Sequence, residues 1–304
     1  MAGDDAVGQD AGGGDPFGVA GPLEVLRDVD ELVAAGIDMA MVAVPTVYHE
    51  EVCVALADAG VHTMVEKPIA ATAEAGRRVA QAFTDAGLVG CVGHVERFNP
   101  ALQEARRRLE AGELGEVYQI ATRRQGPFPA RIADVGVIKD LGTHDIDLTS
   151  WIARSPYRSI SAQTAHRSGR EHEDMVLATG LLDSGVIVSH VVNWLSPMKE
   201  RLTIVTGERG AFVADTASAD LTFYANGVIP TEWDSITAFR GVAEGDIIRY
   251  AHAKREPLRV EHEAFRDAVL GVRDDVVSLT AGVHTLVVAE AAAESARTGQ
   301  TIRL

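Results

Sequence analysis

A chain of 304 residues, 46% hydrophobic and 24% charged, is long enough to bury a substantial core and to divide into two domains. Its net charge of −16 at pH 7 excludes nonspecific binding to nucleic acid or to an anionic membrane, since such a surface repels both. No apolar run approaches the roughly 20 residues that span a bilayer, and Met1-Ala2-Gly3-Asp4-Asp5 lacks the regions of a signal peptide, so the expected location is the cytoplasm.

In chain order, residues 1–22 are expected to be a disordered tail, rich in Gly, Asp and Ala without apolar periodicity. A short helix starts at Asp30-Glu31-Leu32-Val33. The continuous apolar run 39–44 has the length of a parallel strand buried on both faces, and Pro45 ends it. A helix over 49–59 stops at Gly60, a strand covers 61–65, a helix runs over 72–86 to Gly87, and a strand covers 88–93. This alternation predicts a parallel α/β sheet. Beyond an amphipathic helix from Pro100 to Glu110 the pattern changes to alternating β-rich stretches at 117–125, 157–165, 174–182, 186–194 and 201–214. Asp183-Ser184-Gly185 and Gly207-Glu208-Arg209-Gly210 are hairpin turns, so the second sheet is largely antiparallel. Helices at 260–271 and 280–297 and a strand at 301–304 complete the chain. The cysteines, Cys53 and Cys91, sit in apolar segments and are expected to be buried thiols; nothing has zinc spacing, so no metal site is expected.

Three short constellations carry chemistry. Val44-Pro45-Thr46-Val47-Tyr48-His49 ends a buried strand and opens a helix, and ligands of open α/β sheets bind beyond the carboxyl ends of the strands. Taken alone, Thr-x-x-His also describes a helix cap. Glu66-Lys67-Pro68 closes the next strand and points a lysine into the same crevice. A lysine beside a cationic nicotinamide gives up its proton more readily and suits acid-base work, although a surface lysine in a turn has the same sequence. In the run from Asp134 to Asp147, a helix would place Asp140 and His144 four apart on one face, with Asp147 three further on. Oxidation of an alcohol needs a base for the hydroxyl proton, which lysine and histidine can supply; a helix-surface ion pair is the plain alternative.

Pro45-Thr46-x-x-His49, Glu66-Lys67-Pro68 and Gly136-x-x-x-Asp140-x-x-x-His144 together, in this order and approximate spacing, resemble the Gfo/Idh/MocA oxidoreductases. The resemblance implies a Rossmann domain followed by an open-sheet α/β domain, with Lys67, Asp140 and His144 around a sugar hydroxyl. It implies cofactor contacts from Pro45, Thr46, His49, Glu66 and Lys67, with NAD as the cofactor and NADP as the alternative. The stretches 93–100 (Gly-His-Val-Glu-Arg-Phe-Asn-Pro) and 124–131 (Arg-Gln-Gly-Pro-Phe-Pro-Ala-Arg) resemble members that oxidise the 3-hydroxyl of UDP-N-acetylglucosamine or its uronic acid. Arg97, Asn99, Arg124 and Arg131 then become substrate-binding residues, the arginines meeting a pyrophosphate or carboxylate by charge-assisted hydrogen bonds. Structural salt bridging is their other reading. A thinner likeness continues through Trp194 and Lys254-Arg255-Glu256-Pro257-Leu258. The family also suggests a homodimer or homotetramer.

A Rossmann domain opens with an apolar strand and G-x-G-x-x-G. No residues before Met41 match that glycine spacing, and Gly12-Gly13-Gly14 follows Asp and Ala rather than a β-branched strand. The fold expected is therefore α/β plus α+β: an N-terminally truncated Rossmann-type parallel sheet over 23–100, then an open, mainly antiparallel sheet domain over 101–304 whose final helix packs back on the first. The function expected is oxidation of a nucleotide-sugar hydroxyl. The alternatives are dehydrogenation of another sugar or an inositol, and a catalytically silent sugar-binding or oligomerisation module.

Overall fold

The computed structural model describes residues 25–129, 135–227 and 243–304. The expected tail, Gly12-Gly13-Gly14 and Arg131 lie outside them. A short helix, α1 (Val29–Ala34), leads into a three-stranded parallel sheet of β1 (Met39–Val42), β2 (His62–Glu66) and β3 (Gly90–Gly93), in that spatial order. Helices α2 (His49–Asp58) and α3 (Ala73–Ala86) make the crossovers. Each boundary has a local cause. The Thr72 hydroxyl accepts from the Ala75 N–H, which caps α3, and Gly87 ends that helix in the left-handed conformation at φ 66°. The core between this sheet and its helices is built from Val42, Leu56, Val65, Ile69, Val79, Phe83 and Val92.

The expected strand 39–44 is shorter and more open than its apolar run suggests. It stops at Val42, and Met41 and Val44 are each 39% exposed. Among the described residues β1 pairs only with β2, so it is an edge strand there rather than one covered on both faces.

From α4 (Pro100–Glu110), capped by Asn99, the chain enters a nine-stranded sheet. Its strands are β4 (Val117–Pro127), β5 (Tyr157–Ala165), β6 (Met175–Leu182), β7 (Ile187–Asn193), β8 (Leu195–Gly207), β9 (Gly210–Asp215), β10 (Asp220–Gly227), β11 (Ala243–Tyr250) and β12 (Ile302–Arg303). The spatial order is β11-β10-β9-β8-β4-β7-β6-β5-β12. All neighbours are antiparallel except β4 and β7. Both expected hairpins are present, joining β6 to β7 and β8 to β9. β10 and β11 extend the sheet beyond the stretches read from the sequence.

Helix α5 (Thr143–Ala153) covers the sheet together with α7 (Leu279–Thr298), while α6 (Pro257–Val269) packs near the segment 95–98. α7 joins the two cores. Its Leu279, Val283 and Leu286 belong to the core of the small sheet, and its Val288, Ala289, Ala291 and Ala292 to that of the large one. Cys53 and Cys91 are buried free thiols, and burial pushes the Cys53 pKa up to about 12. Among the described residues no helix is long and apolar enough to cross a membrane, and no cluster of His, Cys, Asp or Glu could hold a metal ion.

Candidate active site

β2 ends at Glu66, and the chain turns through the cis Lys67–Pro68 peptide. The Glu66 carboxylate lies against Gly93, where an added Cβ would sit 3.2 Å from its Oε2, and the same oxygen accepts from the Lys67 N–H at 3.2 Å. Lys67 extends from this turn toward the segment before α5. Its Nζ donates to the Asp140 carbonyl at 2.7 Å and to Asp140 Oδ1 at 2.8 Å. An ammonium has three donors, so one remains for a ligand.

Asp140 and His144 do not form the simple helical pair that their spacing predicts. Residues Ile138–Gly142 make a π-helical turn that runs into α5, a distortion frequent at functional sites. Two contacts brace it: Lys139 Nζ donates to the Ala71 carbonyl at 2.8 Å, and Glu173 Oε1 accepts from the Ile138 N–H at 3.0 Å. The Asp140 carboxylate thus serves Lys67 rather than His144. The His144 Nδ1 is buried and has no hydrogen-bond partner. Burial, then the charges of Lys67 and Arg124, hold the His144 pKa well below the ordinary imidazole value. The ring is therefore neutral at pH 7 and can accept a proton.

Other expected site residues are committed inside the protein. Arg97 meets Asp147 through Nε at 2.7 Å and Nη2 at 2.6 Å, so its fork is already filled by a carboxylate. Arg124 is buried between Asp145, 2.8 Å from its Nε, and Glu96, 2.7 Å from its Nη1. Burial opposes its charge, but these two carboxylates raise its pKa further above the arginine norm. Both arginines are held in internal ion pairs, the structural reading that the sequence left open. Asn99 is likewise structural: its Oδ1 caps α4 and its Nδ2 donates to the Thr216 carbonyl at 2.9 Å. His49 is buried, with Nδ1 2.9 Å from the Pro68 carbonyl and Nε2 2.9 Å from that of Val44. It ties the end of β1 to the lysine turn and has no ring nitrogen left for a cofactor. Pro45 is exposed and Thr46 half-buried, in the turn that leads from β1 to α2.

The sequence reading missed several residues. His94 is buried, with Nδ1 3.9 Å from Asp147 Oδ2 and no hydrogen-bond partner, and burial lowers its pKa. Glu96, Asp145 and Glu173 emerge only as partners of residues far along the chain. A separate cavity of about 280 Å³ lies between α5 and α7, lined by Arg97, Asp147, Tyr157 and Thr285. It shares no residue with Lys67, Asp140 or His144.

Lys67, at the carboxyl end of β2, is tied to the Asp140 carboxylate, with the His144 imidazole four residues on, an arrangement that suits acid-base chemistry on a ligand held beyond the ends of the parallel strands. A model of the oxidoreductase family's NAD-binding Rossmann fold matches residues 15–94, and one of the GFO/IDH/MocA C-terminal domain matches residues 102–213. Inositol 2-dehydrogenase 2 of Saccharopolyspora erythraea is 30% identical over 302 residues, covering 94% of this chain and 79% of that protein. UDP-N-acetylglucosamine 3-dehydrogenase of Acidithiobacillus ferrooxidans is 29% identical over 265 residues, covering 86% and 79%. Its solved structure matches with a TM-score of 0.76 at 25% identity, over 89% of this chain and 82% of that one. The WlbA dehydrogenase from Bordetella pertussis, solved in complex with NADH and UDP-GlcNAcA, shares the fold with a TM-score of 0.72 at 24% identity, over 91% and 82%. The chain belongs to the Gfo/Idh/MocA family of NAD-binding oxidoreductases, whose members here include sugar and inositol dehydrogenases.

Proposed function

We propose that this chain oxidises a sugar hydroxyl, at C3 of a UDP-N-acetylhexosamine or its uronate, with residues 23–100 serving the dinucleotide and 101–304 the sugar. It acts in the cytoplasm as a homodimer or homotetramer. The observation that carries the reading is the Lys67–Asp140 contact beside His144, whose buried Nδ1 has no partner. NAD, when bound, supplies the hydride acceptor. Pro45, Thr46, Glu66 and Lys67, at the carboxyl ends of β1 and β2, would hold its nicotinamide end.

The chain's own groups then manage the hydroxyl proton. His144, neutral at pH 7, accepts it. Lys67, fixed by two bonds to Asp140, turns its remaining N–H to the hydroxyl oxygen and stabilises the alkoxide that develops there. Asp140 positions Lys67, and the braces at Lys139 and Glu173 position Asp140. The 30% identity to an inositol 2-dehydrogenase favours a second reading, oxidation of an inositol ring by the same three residues.

Lys67→Ala is expected to lower kcat by about 10²- to 10⁴-fold and, because it leaves the largely buried Asp140 carboxylate unpaired, to lower the melting temperature as well. Assays with UDP-N-acetylglucosamine, its uronate and myo-inositol separate the two readings. Unchanged turnover in the variant would rule out the assigned chemistry.

A further inference from the structure

The large sheet brings a second arginine to the site. In the antiparallel register of β4 with β8, Arg201 stands opposite Arg124. Its Nη1 donates to two backbone carbonyls, Gln125 at 2.7 Å and Glu200 at 2.8 Å. No carboxylate among the described residues pairs with it, whereas Arg97 and Arg123 each have one and Arg124 has two. The donors without a partner, Nε and Nη2, form the edge of the guanidinium that grips a carboxylate or phosphate with two parallel bonds.

We propose that Arg201 is the anion anchor of the site, binding an anionic oxygen group, phosphate or carboxylate, carried by the substrate. This rests on the dehydrogenase reading above and narrows it to anionic sugars over neutral polyols. Placement supports it, because Arg201 is half-buried and near enough to His144 to help lower that residue's pKa. Burial and the adjacent Arg124 outweigh the attraction of Asp145, Glu96 and Asp140, so the balance of its surroundings disfavours its charge. An arriving anion relieves that imbalance. Arg97 and Arg124, already neutralised, have no such need.

The test is calorimetric titration of the full chain and of its Arg201→Met and Arg201→Lys variants with UDP-N-acetylglucosamine uronate, UDP-N-acetylglucosamine, UDP and myo-inositol. Arg201→Met is expected to weaken the anionic ligands at least tenfold and leave myo-inositol unchanged. Arg201→Lys, which keeps the charge but not the fork, should fall between, and it guards against a variant that simply misfolds. Weakening of the uronate alone assigns the anchor to the carboxylate, and equal weakening of UDP and both nucleotide sugars assigns it to phosphate; either supports the proposal. Wild-type affinities for all four ligands in both variants would overturn it and leave the dehydrogenase reading intact. Wild-type protein that oxidises myo-inositol and binds no nucleotide sugar would overturn it together with the nucleotide-sugar substrate. Failure to bind NADH or any of these ligands would overturn both.

Discussion

On α6, Glu261 turns inward with Ala264 and Phe265, and neither of its carboxylate oxygens has a hydrogen-bond partner. Burial, and then the charge of Glu66 at the end of β2, push its pKa up to about 8. It is therefore mostly protonated at neutral pH. A group whose folded pKa lies above its unfolded value stabilises the fold fully below the unfolded value, near 4.3 for Glu, and loses that contribution as pH rises through the folded one. The window here runs from about pH 4.3 to about pH 8. Glu261→Gln removes the titration and keeps the shape. Its melting temperature relative to wild type should climb steadily between pH 5 and pH 8, by an amount corresponding to a few kcal/mol. A constant difference across that range would show that Glu261 does not titrate in the folded protein. The residue is also one that patterning could not single out: Val-Glu-His-Glu reads as an exposed helix face, and only the packing of α6 shows which glutamate is inside.

A glycine stands just before the π-helical turn, where there is no room for a side chain beside Glu173. A Cβ at Gly136 would collide with the carboxylate of Glu173, which accepts from the Ile138 N–H. Gly136→Ala should displace that carboxylate and cost about 1–2 kcal/mol, the usual scale for a lost buried hydrogen bond. Combined with Glu173→Ala the effects should be far from additive, as denaturant titrations of the single and double variants would reveal; simple additivity would mean that the glycine is needed for another reason. Elements of this kind mark where the sequence stopped being informative. β2, α3 and α4 were legible because a short β-rich run closed by Glu66-Lys67-Pro68, a helical stretch ended by Gly87 and an amphipathic stretch after Pro100 specify them locally. Lys67 and Asp140 were legible as residues but not as a pair, since 73 positions separate them. The ion pairs of Arg97 and Arg124 could not be read from local sequence, because their partners Asp147 and Asp145 lie 50 and 21 residues away. The outer strands β10 and β11 escaped because their alternation is short and both of their faces are partly open to solvent: Tyr224 and Ile247 are exposed on one face and Ile248 on the other.

Across the whole molecule, one helix serves two cores. Leu286 is 1% exposed near the middle of α7, on the part that packs beneath the small sheet, and Val288 and Ala289 follow it into the core of the large one. Leu286→Ala should cost about 2–5 kcal/mol. Because α7 is shared, hydrogen exchange should quicken in β2 and in β5 together; loss of protection confined to β2 would show that the two sheets unfold independently. The order of the large sheet carries a different consequence, for the nascent chain. β4 is its centre, yet it precedes both of its neighbours, β7 and β8, in sequence. Its last partner is completed at Gly207, roughly 80 residues after β4 ends, which at a synthesis rate of about 5–20 residues per second is an interval of about 4–16 s. β4 has both edges open until β7 is complete at Asn193, and one edge open until β8 is complete at Gly207. The central strand is thus made before either of its partners, and the ribosome, not the finished fold, sets how long it must wait.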